Sequence, residues 1–199
     1  MFRTLERSFL ASLVCLMLAV PTSVAAGGMT RAEECVEVAG QSLTLNGTGI
    51  GVRLVFKVYA IALYLPAKAK TPEAILASTG PRRIVIAMLR DVSGADFFQA
   101  IADYLKRGEG TETRRMTTVA AQVKIALDGQ AGRLRTGDKL TIDWIPGTGT
   151  VIELNQKRIS TPVQEVDFYN ALLKIWLGAE PADPALKRLV TSVADRARW

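Results

Sequence analysis

Apolar positions change their spacing along the chain, and the changes mark out its elements. CVEVAGQSLTLNG alternates on either side of Ala39-Gly40-Gln41 and predicts a hairpin of two short strands. The next run, GVRLVFKVYAIALYL, is apolar, β-branched and aromatic with no helical period, and predicts a strand or a strand pair. As one straight strand, its 14 residues from Val52 to Leu65 would run ~46 Å, so a bend or bulge is expected within it. PRRIVIAMLRD is a further strand, entered by Gly80-Pro81. The spacing then turns helical in SGADFFQAIADYLKRG. Ser93 stands as cap with Asp96 three residues on, Phe97, Ile101 and Leu105 share a face, and Lys106, Arg107 and Gly108 close the helix. Met116, Val119, Val123 and Leu127 predict a second, weaker helix.

LRTGDKLTIDWIPGTGTVIELNQKRIS predicts two strands around Pro146-Gly147-Thr148-Gly149, the first alternating Leu140, Ile142 and Trp144 with Thr141 and Asp143. VDFYNALLKIWLG is an amphipathic helix with Gly178 at its end, and Asp183-Pro184 opens a last one with Leu186, Leu189, Val190 and Val193 along one side. Strands, helices, strands, helices is not a regular βαβ alternation. The order predicts an α+β fold, a mainly antiparallel sheet covered by helices on one face, in one domain without internal repeats.

Residues 1–26 stand apart. MFRTLER is short and positively charged, SFLASLVCLMLAV is an uncharged apolar run of 13 residues, and PTSVAAGG supplies small residues. This is the pattern of a secretory signal peptide, cleaved near Ala25 or Ala26, and the run is shorter than the ~20 residues of a spanning helix. A periplasmic mature chain, 27–199, is therefore expected. Cys15 follows Leu13 and Val14, which is no lipoprotein signal.

Setting aside Arg3, Arg7 and Glu6 leaves the mature chain 23 basic and 18 acidic residues, a net charge of +5. The basic residues come in scattered pairs (Arg82-Arg83, Lys106-Arg107, Arg114-Arg115, Lys157-Arg158) without interleaved aromatics, so a solvated surface is expected rather than a nucleic-acid stripe. Weak contact with anionic headgroups is compatible with this balance. Cys35, the one mature cysteine, lies in an expected strand and reads as a buried, inert thiol. No histidine occurs, which excludes Ser-His-Asp and Cys-His catalysis and histidine metal ligands.

Gly47, Gly49 and Gly51 precede a strand, not a helix, and no Gly-Lys-Ser/Thr is present beyond them, so neither phosphate-binding glycine motif is present and no cofactor or metal is expected. Arg53, Lys57 and Tyr59 share a parity in the run. Two cations and a phenol on one strand face suit a wet outer face, the commoner case, or the wall of an anion-binding cleft. Trp144 and Trp176 sit at core-facing spacing, Trp199 ends a polar tail, and Asp143 and Glu153 lie on facing hairpin strands where a solvated face is expected.

GVRLVFKVYAIALYL, WIPGTGTVIELN and VDFYNALLKIWLG together resemble the chalcone isomerase superfamily, in particular its small secreted bacterial members, from about Val36 to Leu189. The resemblance implies an open-faced β-sandwich, a long antiparallel sheet backed by helices with a ligand cleft between. It implies that Arg53 matches the arginine that grips the anionic substrate in the plant isomerases, and that Tyr59 matches their threonine if the shorter spacing is a deletion. Arg53 and Tyr59 are also similar to the arginine and tyrosine that hold the carboxylate in plastid fatty-acid-binding members.

The isomerases order water with a tyrosine and an asparagine at the start of their first long helix. Here Phe97 and Phe98 stand near the tyrosine, no asparagine lies one or two turns on, and Tyr104 does not match the spacing. Three readings result. The first is a non-catalytic binding protein for a fatty acid or similar amphipathic carboxylate, with Arg53, Tyr59 and Lys57 as ligand residues. The second is an intramolecular lyase or isomerase of a small phenolic or enone, with Arg53 and Tyr59 catalytic. The third is a partner-binding protein whose cleft is filled by side chains such as Phe97 or Phe98. The order and spacing of residues say nothing of oligomeric state.

Overall fold

The computed structural model describes residues 32–53, 55–106 and 132–178, with positions 114, 115, 118, 119, 121, 122, 125 and 181. β1 (Cys35–Val38) and β2 (Gln41–Arg53) form the expected first hairpin. Ala39 and Gly40 take φ of 51° and 75° at its turn, the left-handed pair that matches strand twist in a two-residue connection. β2 runs 13 residues and includes the glycine-rich stretch. β3 (Phe56–Leu65) returns beside it, so the long apolar run is a strand pair whose closed end lies at Arg53 and Phe56.

β4 (Arg82–Met88), β7 (Lys139–Ile145), β8 (Gly149–Leu154) and β9 (Lys157–Arg158) complete a seven-stranded sheet of order β1-β2-β3-β4-β7-β8-β9, antiparallel throughout. The turn into β9 rests on Asn155 and Gln156, at φ 50° and 68°. Between β4 and β7 the chain leaves the sheet. This excursion holds β5 (Val92–Ser93), α2 (Gly94–Lys106), the described helical positions between 114 and 125, and β6 (Arg133–Leu134). β5 and β6 pair and close its base. α1 (Pro72–Leu76), which the residue pattern does not predict, comes after β3 with Thr71 Oγ1 accepting from Ala74 N at 3.2 Å and proline at its start. α3 (Val166–Leu177) comes after the sheet.

The strand period sorts side chains between two faces. Ile61, Leu63 and Leu65 of β3, Ile84, Ile86 and Met88 of β4, Leu140 and Ile142 of β7, and Ile152 and Leu154 of β8 meet the helices. From above come Phe98, Ile101 and Leu105 of α2 and Phe168, Leu172, Leu173 and Trp176 of α3. Each such side chain contributes about 1.5–3 kcal/mol on burial, so this layer holds the helices to the sheet. Val119, in the expected second helix, is buried here too; Met116, Val123 and Leu127 lie outside the described residues, as does the last helix expected after Asp183. Across the sheet a smaller cluster gathers Val38, Leu43, Leu45, Ala62 and Tyr64. Helices therefore back one face of an antiparallel sheet, the predicted α+β arrangement.

Three expectations are corrected. Arg82 is not solvated: it continues the row of Ile84, Ile86 and Met88 and is 1% exposed. Its Nη1 donates to Asn170 Oδ1 at 3.0 Å and reaches Leu76 O at 3.4 Å, and its guanidinium lies 4.8 Å from the Tyr169 ring centroid. Asp143 is also buried. It holds Arg83 through two bonds, Nε to Oδ1 at 2.7 Å and Nη2 to Oδ2 at 2.6 Å. Cys35 is exposed, because it opens an edge strand with a partner on one side only.

Candidate functional site

The β2–β3 ladder shifts register twice, between Leu45 and Gly47 and again near its closed end, between Gly51 and Val52. Gly51 opposes Tyr59, but the next residue, Val52, opposes Lys57, which leaves Val58 unopposed in a β-bulge. A regular strand sends neighbouring side chains to opposite faces. The bulge lets Val58 and Tyr59, adjacent in sequence, line the same cavity between the sheet and the helices.

That cavity has a volume of about 710 Å³. Its buried wall is Gly51, Ile101, Ile175 and Trp176, with Val58, Val92, Phe97 and Tyr104 half-buried beside them. Its rim carries exposed Val52, Arg53, Asp96 and Ala100. The volume and the apolar lining with few polar groups are those of a small-molecule site.

Tyr59 is fixed from three sides. Trp176 Nε1 donates to its hydroxyl oxygen at 3.0 Å, the Phe97 ring meets it edge-on at 6.0 Å between centroids, and Gly51 lies under its ring. Any Cβ at residue 51 would overlap that ring, with Cε2 at 2.7 Å and two ring carbons nearer still. Glycine is thus needed at residue 51 for close approach of a side chain, not of a phosphate.

Arg53 and Tyr59 both line the cavity, Arg53 at the rim and Tyr59 in the wall. No side-chain hydrogen bond or ion pair joins Arg53 to another described residue. Lys57 is exposed on the hairpin and is not among the lining residues. Phe97 lines the cavity and Phe98 is core, 5% exposed.

Two lining residues escape a reading of the sequence in this role. The spacing around Trp176 points to packing alone, and nothing local to it signals a partner 117 positions away. Tyr104 does not fit the family spacing, yet it lines the cavity, and its hydroxyl donates to Lys174 O at 2.9 Å. The stripe Phe97, Ile101, Tyr104 on one helix face is the signal that could have found it. Asp96 brings a carboxylate to the rim, on the first turn of α2, where Ser93 Oγ accepts from its backbone N–H at 3.2 Å.

A seven-stranded antiparallel sheet of this topology, backed by helices on one face, is the chalcone isomerase-like architecture. A model of the chalcone isomerase-like family matches residues 25–190, and the chain belongs to that family. Among solved structures it is similar to a fatty-acid binding protein of Arabidopsis thaliana, with a TM-score of 0.54 and 14% identity over 79% of this chain and 96% of that one. No curated protein sequence matches.

Proposed function

We propose that the chain is a non-catalytic, ligand-binding member of the family that holds a fatty acid or similar amphipathic carboxylate. The observation that carries this reading is the apolar cavity of about 710 Å³ with Arg53 at its rim and Tyr59 in its wall. An arginine fork suits a carboxylate, and a phenol can add a further hydrogen bond. The tail lies along Val58, Phe97, Ile101 and Ile175. The plant fatty-acid binding protein of similar fold supports the ligand class.

The isomerase reading is weaker on the same residues. Phe97 has no hydroxyl, and the Tyr104 hydroxyl is bonded to a helix carbonyl at 2.9 Å. A cavity of this size also speaks against a cleft filled by side chains. In this reading residues 1–26 are an export signal and the domain acts in the periplasm.

Native mass spectrometry of the mature protein, beside Arg53→Ala, tests the proposal. A co-purified or added long-chain acid retained by the wild type and weakened in the variant is the expected result. Clean apo masses for both, with no uptake of added fatty acid, would sink it.

A further inference from the structure

The tip of the β2–β3 hairpin exposes apolar side chains that the core does not use. Val55 is 83% exposed, Phe56 50% and Val52 44%. The other large apolar residues exposed among those described, Ile125 and Val166, lie elsewhere in the chain. The tip is also cationic. Arg53 and Lys57 are exposed beside it, and the Arg90 guanidinium lies 4.3 Å from the Phe56 ring centroid. Leu89 N donates to Val58 O at 2.9 Å, which ties the segment bearing Arg90 to the hairpin. Of the carboxylates nearby, Asp91 is engaged by Thr136 through N at 2.8 Å and Oγ1 at 3.0 Å, and Asp96 is exposed on the cavity rim that Arg53 shares, outnumbered there by the three cations.

We propose that this tip docks on an anionic phospholipid surface, with Val55 and Phe56 entering the headgroup boundary and Arg53, Lys57 and Arg90 meeting lipid phosphates. Apolar side chains ringed by cations fit that interface, where apolar insertion and charge act together. A second copy of the chain is a poor occupant. An isologous contact through the tip would set these cations against their own copies. The tip adjoins the cavity, since Val52 and Arg53 belong to both. Docking therefore brings the cleft mouth to the lipid, a route for an amphipathic ligand; that consequence rests on the proposed function, whereas docking itself does not.

The test is co-sedimentation of the mature protein with vesicles of phosphatidylcholine alone and of phosphatidylcholine mixed with phosphatidylglycerol. Binding is expected to the mixed vesicles and to weaken with salt. Arg90→Gln should reduce partition roughly fivefold, the worth of one cation near the surface. Val55→Ser with Phe56→Ser should reduce it roughly tenfold or more. Neither Val55 nor Phe56 lines the cavity, so fatty-acid uptake without vesicles should survive in that double variant. Absence of vesicle binding, equal binding to both vesicle types, or tip-dependent dimerisation in solution would each overturn the proposal. Because uptake is read without lipid and docking without fatty acid, failure of one is distinguishable from failure of the other.

Discussion

The phenol ring of Tyr59 rests on the bare backbone of Gly51, its partner across the β2–β3 ladder. A methyl group at residue 51 must push the ring away from Trp176 Nε1, which now lies 3.0 Å from the hydroxyl oxygen. Gly51→Ala should destabilise the fold by about 1–3 kcal/mol, the usual range for overpacking. Tyr59→Phe keeps the ring and loses only the hydroxyl, about 1 kcal/mol. Chemical denaturation of a double-mutant cycle decides the cause. In a Tyr59→Ala background Gly51→Ala should cost little, and an undiminished cost there would mean the ring is not responsible.

If a fatty acid occupies the cleft, its tail should govern affinity more than its head. Burying a methylene is worth ~0.8 kcal/mol, about fourfold, so a few added carbons outweigh the whole of an exposed arginine–carboxylate bond. Arg53→Ala should weaken binding roughly tenfold or less. Lengthening the chain should strengthen it severalfold per carbon until the cavity is filled. A titration series of saturated acids against both proteins checks the ranking; affinity independent of chain length would contradict it.

Asp96 shares the rim with Arg53, and its charge opposes an anionic head. Asp96→Asn should tighten carboxylate binding by roughly two- to threefold, the scale of an exposed charge pair, and leave an uncharged analogue unaffected. With no histidine in the chain, binding should be flat from roughly pH 6 to 9 and fall only where carboxyl groups protonate. Isothermal titration of an acid and its alcohol side by side would expose a wrong assignment if both respond alike.

Much of this was legible in the residues. Alternation located β4, β7 and β8, and helical spacing with Ser93 and Gly178 at the ends located α2 and α3. The glycine run was readable as strand because the residues after Gly51 have no helical period. The closed end of the second hairpin was harder, since RLVF carries none of the glycine, proline or asparagine that marks a turn. Burial of Arg82 and Asp143 was illegible for another reason. A charged residue on a strand reads as solvent-facing unless its partner is known, and Asn170 and Arg83 become partners only once the elements are packed. The Tyr59–Trp176 bond has the same character, and it builds the cavity wall.

Arg82 is a buried cation with no carboxylate against it among the described residues. Burial lowers its pKa. Among the described residues the surroundings are neutral acceptors and the Tyr169 ring, and its Nε has no partner there. Arg82→Ala removes the stem and opens a void, with an expected loss of about 2–4 kcal/mol. Arg82→Met refills most of the volume without a charge to desolvate and should cost markedly less. Arg82→Lys keeps the charge but loses the planar fork and the stacking, so it should be worse than Met. Equilibrium unfolding of the three variants gives the order directly, and Lys proving the mildest would show that charge, not shape, matters at this position.

Tyr64 makes alkaline pH a probe of the second face of the sheet. Burial, with the charge of Glu33 adding to it, pushes its hydroxyl up to about 12. Tyr169, fully enclosed on the buried side of α3, is raised as well, chiefly by burial. A phenol that ionises more easily in the unfolded chain favours folding while both states are neutral. The contribution is therefore complete below pH ~10, where unfolded tyrosine is still protonated, and is lost as pH rises from there toward 12. Across that window Tyr64 should forfeit about 2 kcal/mol of stability. Tyr64→Phe should flatten this part of the pH profile, and Tyr169→Phe should flatten it further. Thermal unfolding of wild type and both variants between roughly pH 8 and pH 11 would reveal it; parallel curves for all three would assign alkaline loss to other groups.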